Sequence, residues 1–172
     1  MSATAARDQK PQPTPEGVGD LLRLDLQLCF ALYSSSNLMS RLYRPLLEPL
    51  GLTYPQYLAM MALWETSPQT VGDLGRRLSL DSGTLTPLFK RLESAGLVVR
   101  DRDPKDQRRL LVGLTPAGAA LRERAADIPW TVLCRLPIAP EEAVGLKATL
   151  TRLAAGLGEA VAGEAGSGDG VD

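Results

Sequence analysis

The sequence predicts a mainly α fold with a small β-wing: a winged helix-turn-helix domain flanked by N- and C-terminal dimerisation helices. Three observations carry that prediction. Two short helical patterns lie between residues 70 and 95, each opened by a capping residue and separated by a tight turn. Two short runs of leucine and valine follow, joined by a charged loop. Longer apolar helical patterns enclose this centre on both sides.

Each element has its own warrant. Residues 1–19 are polar and carry Pro11, Pro13 and Pro15, which predicts a disordered tail. Asp20 is placed to cap a helix running to about Tyr43. Leu21, Leu24, Leu28 and Leu32 keep helical spacing along it, while Leu22, Leu26, Phe30 and Leu38 lie on its other faces. A helix apolar nearly all round must be covered on most sides, and in a chain of 172 residues the expected cover is a second subunit. Pro45 and Pro49 confine the next segment to a short helix. Gly51 breaks it, and Tyr54-Pro55 opens another through Trp64.

The central elements come in order. Thr70 caps a helix over Val71–Leu78, and Asp81 caps a second that reaches about Ala95, where Gly96 stops it. Leu97–Arg100 reads as a strand and Leu110–Leu114 as its partner, with the charged loop Asp101–Arg109 between them. Thr115 is the N-cap of a further helix with Pro116 at its first position. Pro129 and Pro137 punctuate the segment beyond that helix. Pro140-Glu141-Glu142 then opens a last amphipathic helix to about Leu157, its first turn acidic as the helix dipole prefers. Residues 158–172 are rich in glycine, alanine and acid and read as a second disordered tail. The domain is therefore expected over 20–157, with its winged part at about 53–115 and the flanking helices at about 20–50 and 116–157.

Composition narrows the function. The formal net charge is −1, but nine basic and six acidic residues between Thr70 and Arg109 make that segment +3 and leave the rest −4. This asymmetry fits a patch for a polyanion on an otherwise neutral body. The chain has no histidine, which removes the Ser-His-Asp triad, the Cys-His nucleophile and the ordinary catalytic zinc site. No metal, no cofactor and no enzyme are expected. Cys29 and Cys134 are too few and too far apart for a disulfide framework or a metal clip. The N-terminus lacks a signal pattern, and the apolar run Leu58–Trp64 is too short for a membrane span, so a reducing cytoplasm is the expected setting and no membrane partner is foreseen.

In a helix-turn-helix the second helix enters the major groove with its N-terminal residues at base edges. Here those are Asp81, Ser82, Gly83, Thr84 and Thr86, with Lys90 two turns on. Pro87 removes an internal hydrogen bond and is expected to bend this helix. In the loop, Asp106 precedes Arg108 and Arg109. An arginine at a hairpin tip suits a narrow minor groove, and a nearby aspartate can hold its guanidinium in place. On charge alone the loop reads better as a solvated hairpin; combined with the order of elements, the DNA reading prevails.

Asp25, Cys29 and Tyr33 are four residues apart and so share a helical face. A tyrosine hydroxyl bonded to a thiolate favours the charged form, which is the form that attacks a peroxide. The plain alternative is that Cys29 is a buried, inert packing residue and that the tyrosines fill core or interface.

Two groups of residues resolve these alternatives by resemblance. The run Leu80-Asp81-Ser82-Gly83-Thr84-Leu85-Thr86-Pro87, then Lys90-Arg91-Leu92-Glu93, Gly96-Leu97, Asp106 and Arg108 through Leu114-Thr115, resembles the MarR family of dimeric winged-helix repressors. Gln27-Leu28-Cys29-Phe30, with Tyr33, Tyr43 and Thr53-Tyr54-Pro55-Gln56-Tyr57, is similar to its OhrR branch of organic-hydroperoxide sensors. The resemblance runs from about residue 22 to 157. It implies a homodimer on a near-palindromic double-stranded DNA operator, with an organic hydroperoxide as the oxidising signal. It also implies that residues matching Tyr43 and Tyr54 reach the reactive Cys29 from the other subunit. Some members of the branch carry a second cysteine that forms a disulfide with the reactive one of the opposite subunit, and Cys134 is placed like that residue. Two other classes remain open: a repressor answering a small phenolic ligand, and a thiol peroxidase.

Overall fold

The structure, a computed structural model, describes residues 22–166. The expected cap Asp20 and the tail 1–19 lie outside them. Contacts divide the chain into two compact units, one ending at Pro45 and one beginning at Leu46, where the sequence reading expected one domain over 20–157.

The first unit is a single 3-10 turn, Leu24–Leu26, followed by most of helix α1, Leu28–Leu47. The helix starts later than expected because Gln27 is extended (φ −85°, ψ 116°). It also ends later, running through Pro45 for one further turn. Proline removes one donor there, but Leu47, 1% exposed, gives the last turn a buried anchor in the second unit. Only a 3-10 turn, Glu48–Leu50, remains of the short helix expected next, and Gly51 ends it in the left-handed region (φ 68°).

The second unit is the winged helix-turn-helix. Helix α2 spans Tyr54–Glu65, and its N-cap Thr53 shares a reciprocal capping box with Gln56. Strand β1, Gln69–Thr70, leads directly into α3, Val71–Leu78, whose N-cap Thr70 accepts from the Asp73 N–H at 3.0 Å. Helix α4 spans Ser82–Ser94 and continues through Pro87. Gly96 (φ 71°) turns the chain into β2, Val98–Arg102. The hairpin returns as β3, Leu110–Leu114, with Arg100 opposite Val112. The three strands form one antiparallel sheet in the order β1-β3-β2. Sequence reading missed β1, which is only two residues long. It also began β2 one residue early and ended it two early, since Asp101 and Arg102 pair with Leu111 and Leu110.

Helix α5, Pro116–Ala125, starts at the expected cap. Helix α6, Ile128–Leu133, takes Pro129 in its first turn, so this proline opens a helix. Helix α7, Pro140–Gly166, extends well past the expected end at Leu157 and replaces the first part of the expected tail. Its later residues are mostly alanine, glycine and glutamate (Glu159-Ala160-Val161-Ala162-Gly163-Glu164), and alanine keeps the helix going.

The core of the second unit joins α2, α3, α4, the sheet, α5 and α6. Tyr57, Met60 and Leu63 of α2 meet Leu74 of α3, Leu85, Phe89 and Leu92 of α4, and Val98 and Val112 of the sheet, all nearly inaccessible to water. Every side chain in this core is apolar apart from the Tyr57 hydroxyl, which burial and the neighbouring Tyr54 hold protonated beyond the usual tyrosine range. Close approach at the helix-turn-helix requires Gly75. A Cβ there would stand 2.8 Å from a Leu85 methyl and 3.0 Å from the Leu80 carbonyl.

Candidate nucleic-acid interface and redox site

The amphipathic pattern of α4 decides which residues face outward. Leu85, Leu88, Phe89 and Leu92 are buried, at spacings of three and four. Ser82, Gly83, Thr86 and Lys90 are left exposed together on the opposite face. This is the arrangement expected of a recognition helix, and it brings all four residues to one surface.

Asp81 stands at the N-terminus of α4 as its cap. Its carboxylate accepts from the Thr84 N–H at 2.8 Å and from the Thr84 hydroxyl at 3.2 Å, and these bonds, with the Gly83 N–H, hold it below the usual carboxylate range. The cap fixes the frame of the exposed Ser82, Gly83 and Thr86 that follow it. Thr86 donates its hydroxyl hydrogen to the Ser82 carbonyl at 2.9 Å. In the free protein both threonine hydroxyls are therefore turned toward their own helix.

The wing turn is built around Asp106. Its carboxylate accepts from the Arg108 N–H at 3.1 Å, and its oxygens lie 3.7 Å from Arg108 Nε and 3.4 Å from Arg109 Nε. The Arg109 N–H donates to the Asp106 carbonyl at 2.8 Å. Arg108 is 96% exposed; Arg109 is close enough to Asp73 of α3 to help hold that carboxyl low, after the Thr70 hydroxyl and Arg76. Asp106 thus stands in ion-pair range of both arginines, while its hydrogen bonds in the turn are to the backbone.

Cys29 lies in the first turn of α1, with its thiol exposed and Tyr33 one turn further on, also exposed. Within one chain the thiol is uncovered, on a helix whose expected cover is a second subunit. Asp25 does not join them. It sits in the 3-10 turn before the extended Gln27, off the face of α1, and its carboxylate pairs with Arg23 at 2.6 Å. Tyr43 lies on the same helix three turns beyond Tyr33. In the second unit Tyr54 opens α2, half-buried, and burial raises its hydroxyl above the ordinary tyrosine pKa. Cys134 is the C-cap of α6, exposed, with Trp130 (69% exposed) one turn before it. Among the described residues, no cluster of three histidine, cysteine or acidic side chains is placed to hold a metal. No described helix is long and apolar enough to cross a membrane.

One feature escaped the sequence reading. Arg100 of β2 donates from Nε at 2.9 Å and Nη2 at 2.5 Å to the same carboxylate oxygen of Glu93 on α4. The guanidinium holds the Glu93 carboxyl below its usual range. The only signal in sequence was opposite charge seven residues apart, and without the turn at Gly96 nothing says the two meet.

Comparison with known proteins places this geometry. The sequence pattern described as the MarR family matches residues 52–110. The organic hydroperoxide resistance transcriptional regulator of Bacillus subtilis is 48% identical over 134 residues, which cover 78% of this chain and 91% of that protein. Among solved structures, reduced AbfR bound to DNA superposes with a TM-score of 0.69 at 38% identity, covering 80% of this chain and 94% of that one. A disulfide-formed AbfR superposes with a TM-score of 0.57 at 39% identity, covering 76% and 91%. AbfR is a protein of Staphylococcus epidermidis.

Proposed function

This chain belongs to the MarR family, and we propose that it is a redox-sensing transcriptional repressor that leaves its operator when an organic hydroperoxide oxidises Cys29. One observation carries the reading: a single chain joins an exposed cysteine, with a tyrosine one turn away, to an exposed recognition helix and an arginine-tipped wing. The likeness to the Bacillus subtilis regulator supports the class of signal, and AbfR, solved both reduced on DNA and with a disulfide formed, supports the coupling of thiol state to DNA.

The chemistry needs no cofactor. The Cys29 thiolate attacks one peroxide oxygen; the O–O bond breaks, and the alkoxide leaves and takes up a proton as an alcohol. Sulfur is oxidised to the sulfenic acid. Tyr33 is one turn from the sulfur on the same face, able to donate a hydrogen bond to the thiolate. In a homodimer the partner subunit's Tyr43 and Tyr54 complete that environment, as the family resemblance implies. A phenol whose pKa is raised, as for Tyr54, stays protonated at neutral pH and so remains a donor. The Cys134 thiolate of the opposite subunit then attacks the sulfenic sulfur; a disulfide forms and water leaves. One oxidation changes one binding state, so the protein acts as a regulator and not as an enzyme.

Dimerisation is supported by the apolar side chains that one chain leaves exposed: Leu22, Leu24, Leu26, Leu28 and Phe30 at one end, and Val144, Leu146 and Leu157 on α7. Two recognition helices related by a two-fold axis read a near-palindromic duplex with half-sites about one helical turn apart. Arg108 enters the minor groove beside each half-site while Ser82, Gly83, Thr84, Thr86 and Lys90 face the major groove, in the cytoplasm where the DNA lies.

The test is a gel shift on duplex DNA from upstream of the protein's own gene, with and without cumene hydroperoxide. Reduced protein should retard the duplex and release it after one equivalent of peroxide per chain, while Cys29→Ser should stay bound. Release of the Cys29→Ser protein at the wild-type peroxide dose would end the thiol-sensing reading.

A further inference from the structure

We propose that Glu93 and Arg100 are a positioning pair that sets the wing against the recognition helix, so that Arg108 and α4 reach DNA together. This rests on the DNA-reading role proposed for α4 and the wing.

The strand alternation shows why such a pair is needed. On the inner side of β2, Val98 is buried, Arg100 is half-buried and Arg102 is exposed. Hydrophobic packing therefore anchors only the base of the hairpin, through Val98 and through Val112, which lies opposite Arg100. One residue further on, Leu111 still pairs with Thr70 of β1, but past it only β2 and β3 continue, and a two-stranded ribbon is marginal by itself. Arg100 stands where the core ends. Its Nε and Nη2 both grip one oxygen of Glu93, on the last turn of α4. Two donors on a planar fork restrain direction as well as distance, which a lysine ammonium does not. The side chains are only 20% and 38% exposed, so the pair is not a loose surface contact. Further out, Arg102 Nη1 donates to the Gln107 carbonyl at 3.2 Å and ties the hairpin to its own turn. The chain of restraint thus runs from α4 through Glu93 and Arg100 along β2 toward the turn that carries Asp106 and Arg108. Neither Glu93 nor Arg100 has to touch DNA for this.

A double-mutant cycle on the full-length protein separates positioning from general stability. The probe is the upstream duplex that the wild-type protein retards, followed by fluorescence anisotropy at several salt concentrations. Arg108→Ala is expected to weaken binding roughly tenfold and to flatten the salt slope by about one phosphate contact per chain. Glu93→Gln is expected to weaken it by a similar roughly tenfold and to flatten the slope likewise, because a misdirected wing loses the same contact. The double variant should then be little weaker than either single one. Effects that multiply to roughly a hundredfold would overturn the proposal, since Glu93 would be acting apart from the wing. Glu93→Gln binding within about twofold of wild type would overturn it as well. No effect of Arg108→Ala would instead overturn the reading of the wing itself. Arg100→Lys, which keeps the charge and loses the fork, supplies the second arm. It should match Glu93→Gln in affinity with an unchanged circular-dichroism spectrum, and wild-type affinity in that variant would refute the fork.

Discussion

Gly118→Ala tests whether the winged unit is held together where the wing root meets α5. In the structure an alanine Cβ at 118 would stand 1.9 Å from the Leu97 carbonyl oxygen and 2.9 Å from its carbonyl carbon. Both are backbone atoms, so no rotamer change relieves the clash; α5 must move away by on the order of 1 Å. That movement is expensive because the first turn of α5 is tied down. The Gly118 N–H donates to the Thr115 hydroxyl oxygen at 3.0 Å, and its carbonyl accepts from Trp64 Nε1 at 2.9 Å. The Thr115 hydroxyl donates to the Gly96 carbonyl at 2.7 Å, and the Thr115 N–H to the Leu97 carbonyl at 3.1 Å. Overpacking costs about 1–3 kcal/mol, and weakening one or two of these bonds adds about 0.5–1.5 kcal/mol each. Alanine returns at most about 1 kcal/mol in helix propensity. These ranges centre on a net loss of about 3 kcal/mol, which for a chain of this size lowers the melting temperature by roughly 6–12 °C. Thermal unfolding followed by circular dichroism measures it. Gly72→Ala is the control, because the nearest atoms to its Cβ would be 3.9 Å away in ordinary contact; it should melt at or slightly above the wild-type temperature. A Gly118→Ala protein melting within about 2 °C of wild type would refute the close-approach argument.

The site itself sets three further outcomes. Asp81→Ala should lower the melting temperature and weaken DNA binding, while Asp81→Asn, still a good cap, should keep most of both. Because its bonds lower the folded-state pKa of Asp81, its contribution is complete above the unfolded value of about 3.9 and is lost as pH falls through the lower folded value. The melting difference between wild type and Asp81→Ala should therefore be constant near neutrality and shrink only in strong acid, as thermal scans from pH 7 downward will show. Oxidised wild-type protein should run as a covalent dimer on non-reducing electrophoresis, and both Cys29→Ser and Cys134→Ser should abolish that band; a band surviving Cys134→Ser would leave Cys134 without a resolving role. In titrations at increasing salt, Arg108→Ala should lose more affinity than Arg109→Ala, because Arg108 is 96% exposed while Arg109 is shared with Asp106 and Asp73. Equal losses would make both arginines direct contacts.

The winged centre was legible because punctuation there is local. Thr70, Asp81, Gly96, Thr115 and Pro116 each act within one turn of themselves, and all five mark boundaries where expected. The flanks were less legible because their boundaries depend on burial. Pro45 looks like a stop, yet Leu47 is buried beyond it and the helix continues. Asp25 looks like a neighbour of Cys29 at four-residue spacing, but Gln27 interrupts the helix between them. Spacing arguments hold only inside an unbroken helix. Around Cys29 the apolar excess showed that cover was needed but not what supplies it, and within one chain Leu26, Leu28 and Phe30 are themselves exposed. The Glu93–Arg100 pair depends on how β2 folds back on α4, which no local rule supplies.

The hydroxyls of the recognition helix bear on how a change at Cys29 can matter so far away in sequence. Thr84 and Thr86 already commit their hydroxyl hydrogens to Asp81 and to the Ser82 carbonyl. Meeting a base acceptor as donors would cost each an internal bond of about the same strength, so the net gain per contact is small. They are better placed to accept from the amino groups of adenine or cytosine, with their hydrogens left where they are. On the proposed DNA-binding role, base reading on this surface is weak contact by contact, and most of the affinity is expected from cations meeting phosphate and minor groove: Lys90, Arg108 and their neighbours in the +3 segment. Such affinity grows with the number of contacts made at once, and in a dimer it requires both heads to meet half-sites of fixed spacing. In the proposed dimer, a modest repacking of the helices that join the subunits would then be enough to lose one head's share. On the proposed mechanism the thiol does not have to reach the DNA surface, because its oxidation would act through the spacing of the two wings.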